Sequence, residues 1–262
     1  MDWSKAKNLM ILLLVIVNVF LLGNISYLLY RNEATARSTV TELVAYLESR
    51  GITLEEDIVP RENMGRTVLV VERSTEAEAA LARALLDDAS LTEDADGDYS
   101  SQTGTCNLKS GGYMEAFWTE EISARNLVSR FENGGVTLQD TSYTDTFAEF
   151  SIAYADLPVF NCQVTATLEN GVWTASGRIC VGNALRTDSA SERDVAGLLV
   201  GVMQKLILMD TTEITQIEAG WVASSISSVG VRLLPVYKLT ADSGDFYVNA
   251  VDGTLLSVEE KG

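Results

Sequence analysis

Histidine is absent from this chain, and its absence removes most familiar forms of enzyme chemistry. Ser-His-Asp and Cys-His nucleophiles and His-ligated zinc sites all need an imidazole ring. One S-x-x-K match, from Ser4 to Lys7, lies on a short tail with no domain around it to shape a site. Among 37 acidic residues, some pair of carboxylates always lies close enough for glycosidase chemistry, so spacing cannot select one. We therefore expect a protein that is not an enzyme and has no catalytic residue.

The most acidic stretch, Asp94-Ala95-Asp96-Gly97-Asp98, is the best candidate for metal binding. An EF-hand beginning at Asp94 would need glycine at its sixth position and glutamate at its twelfth, where the chain has Tyr99 and Thr105. The EF-hand pattern therefore fails. A loose surface calcium site stays open as the alternative, but residues 90–105 are rich in Asp, Ser, Thr and Gly and predict an acidic linker or loop. We expect no bound metal and no cofactor.

The chain has three cysteines, an odd number, and two of them flank a predicted hairpin. The stretch Cys162–Leu168 alternates like a strand, Asn170-Gly171 signals a tight turn, and Val172–Val181 returns. A disulfide between Cys162 and Cys180 requires that both side chains lie on the same face of the hairpin. Three buried thiols are the alternative, and the third cysteine has no evident partner.

An apolar run without charged side chains, Leu9–Leu29, predicts a transmembrane helix, since at about 1.5 Å per residue it is roughly 30 Å long. Lys5 and Lys7 precede the run and favour a cytoplasmic N-terminus. Residues 1–8 would then be a cytoplasmic tail, and everything after the helix would be extracellular. A signal peptide cleaved at Ala34-Thr35-Ala36 is the alternative.

One face of the predicted transmembrane helix is suited to contact another helix. Ile11, Asn18 and Ile25 recur every seven residues, and Leu14 and Leu21 occupy adjoining positions. An amide inside the membrane needs hydrogen-bond partners, and a second helix supplies them with a stabilisation on the order of 0.5–2 kcal/mol. A bond from Asn18 to its own helix backbone or to a water is the alternative. We expect these five residues to contact a partner in the membrane.

Charge and composition describe the region outside the membrane. The chain is 47% hydrophobic and 21% charged, as in an ordinary folded protein, and its 262 residues leave room for one large or two small cores. Its net charge of −18 disfavours nucleic acid and anionic lipid headgroups as partners.

Helical and strand patterns alternate along the external chain. Helices are predicted at 40–51, Thr75–Asp87, Ile122–Phe131 and Glu192–Met209, and strands at Thr67–Glu72, Tyr113–Trp118, Thr146–Ala155, Glu213–Ala223, Val231–Leu239 and Asp245–Val258, besides the hairpin. Short connections between successive strands imply antiparallel sheets, and hence an α+β fold. We place a first α/β unit in residues 30–89 and 106–145, on either side of the acidic linker, and a second unit in residues 146–262. Pro235 predicts a strand edge or a bulge.

Several segments resemble the YycI family, whose members are close relatives of YycH. They are the opening M-D-W-S-K-A-K, the segment Tyr154–Asn161, and a terminal block made of Gly220-Trp221, Leu234–Leu239 and Gly244–Ala250. The resemblance implies a single-pass membrane protein with an external α+β domain. It also implies that the chain works with a YycH-like partner on the WalK (YycG) sensor kinase, which governs cell-wall metabolism in Gram-positive bacteria.

An auxiliary protein without catalytic residues can alter a kinase only by binding its conformational states with different affinities. We therefore expect a membrane-anchored, non-enzymatic regulator of a two-component sensor histidine kinase. An anchored external module that binds wall fragments or a lipid is the alternative. A wall hydrolase that uses carboxylates alone is a third reading.

Overall fold

The computed structural model describes residues 14, 17–22, 39–60, 67–88, 90–94, 97–186, 195–226 and 230–256. Most of the predicted anchor, Leu9–Leu29, lies outside these ranges, and Leu14 and residues 17–22 are helical. None of the described helices is both long and apolar enough to cross a bilayer.

From residue 39 onward the described chain forms four α-helices, two short 3-10 helices (Glu56–Ile58 and Ser110–Gly112) and fifteen strands. The helices are α1 (39–48), α2 (Thr75–Leu86), α3 (Ala124–Asn133) and α4 (Val195–Leu208). The strands are β1 (Thr53–Leu54), β2 (Leu69–Glu72), β3 (Thr92–Glu93), β4 (Tyr99–Ser100), β5 (Gly104–Leu108), β6 (Tyr113–Trp118), β7 (Thr137–Tyr143), β8 (Phe147–Tyr154), β9 (Leu157–Glu169), β10 (Val172–Arg178), β11 (Ala184–Arg186), β12 (Glu213–Ile226), β13 (Gly230–Ala241), β14 (Gly244–Asn249) and β15 (Leu255–Leu256).

The strands form one continuous hydrogen-bonded sheet in which antiparallel pairing dominates. Its main path runs β11-β2-β13-β12-β9-β10-β6-β5-β4-β3, and the remaining strands pair at its sides. Among the described pairs, two are parallel: β1 with β12, and a single bridge between Trp221 of β12 and Val159 of β9. The fold is thus a mixed α/β architecture with a large antiparallel-dominated sheet and few helices, which confirms the sequence prediction at that level.

Two hydrophobic cores lie on this sheet. In the first core, α2 and α3 cover the central strands, with Trp118, Phe131 and Phe150 almost fully buried. In the second core, α1 and α4 pack on the far ends of β12 and β13 and on β14. The hairpin β12–β13 contributes to both cores: Trp221 lies in the first and Tyr237 in the second.

The predicted division at residue 145 does not coincide with the division between the cores. Trp118, from the predicted first unit, and Trp173, from the predicted second unit, face each other across the paired strands β6 and β10. Both side chains belong to the first core. Pairing of strands that lie far apart in sequence is set by tertiary contacts, so the local patterns did not reveal this pair.

The stretch predicted as an acidic linker, residues 90–105, contains β3, β4 and the beginning of β5. Asp94 closes the turn between β3 and β4: its amide donates to the Asp98 carbonyl, and its carboxylate accepts from the Asp98 amide, each at 3.0 Å. This part of the chain is an edge of the sheet. Strands of two residues are too short to show an alternating pattern, and the polar composition therefore suggested a loop.

Two buried tryptophans attach the helices to the sheet. The Trp118 indole donates to the Leu85 carbonyl near the end of α2 at 2.8 Å, and the Trp173 indole donates to the Ile122 carbonyl before α3 at 2.7 Å. Carbonyls at a helix end and in a connection have no helical partner, and these indoles supply one. The Leu85 carbonyl accepts a second hydrogen bond, from the Arg130 guanidinium at 3.0 Å. Each tryptophan thus joins apolar packing to a specific hydrogen bond.

Pro235 lies inside the sheet, at the point where β13 changes from one partner strand to another. Residues Gly230–Leu233 of β13 pair with β2, and residues Val236–Ala241 pair with β14. Proline lacks an amide hydrogen, so it fits the position where β13 exchanges one partner for another. The predicted strand edge or bulge is not found at this residue: β13 is an interior strand, Pro235 is in register with Trp221, and the irregularity of that ladder lies between Ile214 and Gln216.

Close backbone packing at Gly177 predicts a large loss of stability for Gly177→Ala. A β-carbon there would lie 2.1 Å from the Gln163 carbonyl oxygen and 2.7 Å from the α-carbon of Val164, so the paired strands β9 and β10 would have to separate locally. We expect the free energy of unfolding to fall by about 2–3 kcal/mol. Urea titration of the full chain in mild detergent measures it.

The matched control is Gly201→Ala in α4, where a β-carbon would meet nothing within 4 Å. Alanine is the better helix former, so this variant should gain about 0.5–1 kcal/mol. A similar change in both variants would contradict the close packing at Gly177.

Candidate functional site

The residues predicted to contact a partner in the membrane are described only in part. Leu14, Asn18 and Leu21 are helical and exposed, whereas Ile11 and Ile25 lie outside the described residues. The Asn18 amide nitrogen donates to the Leu14 carbonyl at 2.9 Å, which is the intrahelical bond that the sequence left open as an alternative. An asparagine amide has a second N–H and a carbonyl oxygen, so this bond does not exhaust its capacity.

The two cysteines of the predicted disulfide lie side by side. Their sulfur atoms are 3.7 Å apart, and both are free, buried thiols. The β9–β10 ladder ends at Gly177, so Cys180 has left the strand and the same-face requirement no longer applies to it. Cys106, in β5, is buried separately, and desolvation raises its pKa to about 12.

Hydrogen bonding between the paired thiols shifts their pKa values in opposite directions. The bond from Cys162 lowers the pKa of Cys180, with help from the charge of Arg178 and against the effect of burial. The same bond, together with burial, raises the pKa of Cys162. The hydrogen bond and the charge of Arg178 therefore favour the thiolate form at Cys180 over Cys162.

Of the segments that resemble the YycI family, those in the second half of the chain converge where β9 meets β12, and the opening M-D-W-S-K-A-K lies outside the described residues. The Trp221 indole donates to the Tyr154 carbonyl at 3.0 Å, and Trp221 itself pairs with Val159. Next to this bridge, the Asn161 side chain makes the two hydrogen bonds that a neighbouring strand backbone would make. It donates to the Ala223 carbonyl at 2.8 Å and accepts from the Ala223 amide at 2.7 Å. A side-chain amide thus extends the single backbone bridge between the two strands.

The outer face of this junction carries a half-buried group of aromatic and charged side chains. We call Phe160, Gly220, Lys238, Asp245 and Tyr247 the junction surface. The Phe160 ring lies over Gly220, where a β-carbon would come within 2.5 Å of it, and its centroid is 5.6 Å from that of Tyr247. The Lys238 ammonium lies 5.9 Å from the Phe160 centroid and 2.8 Å from the Asp245 carboxylate.

The ammonium of Lys238 is stabilised in its charged form. Partial burial opposes the charge, but the hydrogen bond to Asp245, together with Tyr247 and Glu218 nearby, outweighs it and raises the pKa of Lys238. The junction surface therefore offers two rings and a fixed cation.

A second surface is an open groove of about 650 Å³ on the sheet strands β5, β6, β9 and β10. Its floor consists of rows of side chains that follow the strand register. One row is Thr105, Phe117, Thr174 and Thr167, and the next is Asn107, Glu115, Ser176 and Thr165. Asp94 and Asp98, from the β3–β4 turn, line the same groove. We call this surface the polar groove.

Sequence reasoning missed both the polar groove and the role of Asn161. Thr165-Ala166-Thr167 and Thr174-Ala175-Ser176 alternate hydroxyl side chains with buried alanine, and this was the available signal for a polar sheet face. Within the described residues, no three His, Cys, Asp or Glu side chains are grouped so as to hold a metal ion.

No protein-family model and no curated protein match the chain. Among solved structures, an uncharacterised protein from Eubacterium rectale overlaps 74% of this chain and 86% of its own, at 9% identity and a TM-score of 0.42. The YpeB C-terminal domain from Bacillus megaterium overlaps 72% of this chain and 98% of its own, at 11% identity and a TM-score of 0.31. Both are distant similarities that carry no argument about function, and the resemblance to YycI stays a prediction.

Proposed function

We propose that the chain is a membrane-anchored, non-enzymatic regulator of a two-component sensor histidine kinase that controls cell-wall metabolism. It would act through transmembrane and extracytoplasmic contacts with a YycH-like partner and a WalK/YycG-type kinase. Leu9–Leu29 would be its single transmembrane helix, with the N-terminus in the cytoplasm and the α/β region outside the cell.

The observation that carries this proposal is the junction between β9, β12, β13 and β14. Segments that resemble the YycI family are separated by up to about ninety residues of sequence, yet they meet through the contacts of Trp221, Asn161 and Phe160. These segments therefore lie in one part of the fold, which supports the proposal.

The junction surface has the chemistry of a protein contact. Aromatic rings and a cation held by neighbouring groups lose little conformational entropy on binding, and such residues contribute most of the energy in many interfaces. A contact of this kind can favour one conformational state of a kinase without any reaction.

The transmembrane part of the proposal predicts that Asn18→Leu weakens the complex. A leucine cannot replace an interhelical amide bond, so recovery of the partner or kinase with the protein should fall several-fold, corresponding to about 0.5–2 kcal/mol. The measurement is quantitative co-purification of the full chain in mild detergent. Phe20→Leu, on a different face of the same exposed helix, is the control. Unchanged recovery with Asn18→Leu would remove Asn18 from the mechanism.

A second candidate function is an anchored module that binds wall fragments or a lipid. The polar groove favours it, because its volume of about 650 Å³ is in the usual range for ligand sites. A shortened protein that keeps residues 1–37 and lacks the external region separates the two functions. A regulator that acts through its membrane helix keeps some influence on kinase output, whereas a ligand-binding module loses all of its function.

A further inference from the structure

The floor of the polar groove is made of interior strands. β10 lies between β6 and β9, and β6 lies between β5 and β10, so backbone donors and acceptors there are used within the sheet. A peptide that binds by adding a strand needs a free edge. Only side chains of these strands are available to a ligand on the floor.

The side chains on the floor are hydroxyls beside one aromatic ring. Neighbouring strands are about 4.8 Å apart, so Thr105, Thr174 and Thr167 repeat along a row with Phe117 among them. The Thr167 and Thr174 hydroxyls are 3.2 Å apart, and the Phe117 side chain is 40% exposed. Hydroxyls can both donate to and accept from a ligand's hydroxyls, and a ring can cover the apolar face of a sugar.

Carboxylates supply the charge of the groove. Asp94, Asp98 and Glu115 line it, and none of the described lining residues is basic. Glu115 pairs with Lys109 at 2.8 Å, but both side chains are about half exposed, and an exposed pair of this kind is worth at most about 1 kcal/mol. A ligand ammonium can therefore take the place of Lys109.

We propose that the polar groove binds a glycan that contains amino sugars with free ammonium groups. Sugar hydroxyls meet the rows of Thr and Ser, one pyranose ring stacks on Phe117, and ammonium groups pair with the carboxylates of Glu115, Asp94 and Asp98. This inference deepens the ligand-binding function proposed above and is independent of any kinase contact.

The test is calorimetric titration of the full chain in mild detergent with short glucosamine oligomers at mildly acidic pH. N-acetylglucosamine oligomers of the same length, which lack the ammonium, should bind at least about tenfold more weakly. Phe117→Ala and Glu115→Gln should each weaken binding of glucosamine oligomers by about tenfold.

Two variants serve as controls. Tyr143→Ala removes an exposed ring from β7, outside the groove, and Glu48→Gln removes an exposed charge from α1. Both should bind like the unaltered chain. Equal affinity for the charged and the acetylated oligomers would overturn the assignment of ammonium groups while leaving a ligand-binding module in place.

Other outcomes overturn the proposal more widely. If no glucosamine oligomer binds, the groove is not a glycan site. If oligolysine binds as tightly as glucosamine oligomers and Phe117→Ala changes neither affinity, the groove attracts cations without recognising a sugar. None of these results depends on co-purification of a kinase, so they leave the regulatory proposal to its own experiment.

Discussion

Replacing Arg178 with methionine is expected to lower the free energy of unfolding by about 3 kcal/mol. Arg178 is only 8% exposed, and its guanidinium donates to the carbonyls of Gly111 and Ala223, each at 2.8 Å, while lying 5.2 Å from the centroid of the Tyr113 ring. Methionine preserves much of the apolar stem and removes both donors. The Gly111 carbonyl would lose a charged donor in a buried site, which is costly.

Guanidinium titration of the full chain in mild detergent, followed by tryptophan fluorescence, measures this loss. Arg125→Met, on the exposed side of α3, is the matched control and should change stability by less than about 0.5 kcal/mol. Arg178→Lys retains the charge but not the planar guanidinium, so its loss of stability should lie between those of Arg178→Met and Arg125→Met. A loss below about 1 kcal/mol for Arg178→Met would show that the Gly111 carbonyl finds another donor.

Oxidation of the purified chain is expected to join Cys162 and Cys180. Each thiol gives up a proton, the pair gives two electrons to an oxidant such as oxidised glutathione, and an S–S bond closes a loop between residues 18 positions apart. The constraint on the unfolded chain should raise stability by about 3 kcal/mol relative to the reduced protein. Alkylation in denaturant should then label one cysteine in the oxidised protein, whereas it should label all three in the reduced protein.

The thiol that remains is Cys106, and its pKa of about 12 should keep it unreactive in the folded chain. Cys180→Ser is the control, because it cannot form the bond and should gain no stability on oxidation. Labelling of all three cysteines after oxidation would contradict the pairing.

Elements with strong local signals were predictable from sequence. Tyr113–Trp118 was predicted with the bounds that β6 has, and Asn170-Gly171 forms the expected tight turn, with φ values of 53° and 80°. A two-residue hairpin loop requires positive φ at both of its residues, and the Asn-Gly pair adopts this left-handed conformation at low cost.

Elements without a local signal were missed. β7 is an almost wholly exposed strand with no apolar alternation, and β3 and β4 have two residues each. Likewise, nothing in the sequence marks Asn161 or Arg178 as donors to distant carbonyls, because their acceptors at Ala223 and Gly111 are brought to them by the folded chain. The candidate surfaces depend on such long-range contacts, and single-sequence patterns do not report them.

The shared hairpin β12–β13 determines how the external region can be divided. Its paired residues run from Ile214 opposite Ala241 to Ile226 opposite Gly230 and belong to both cores. A fragment that ends at residue 145 would contain β6 without its partner β10 and would expose the ring of Trp118 to water. Truncated versions of this protein should therefore keep residues 39–256 together, because strands from both halves of the sequence share one sheet and one core.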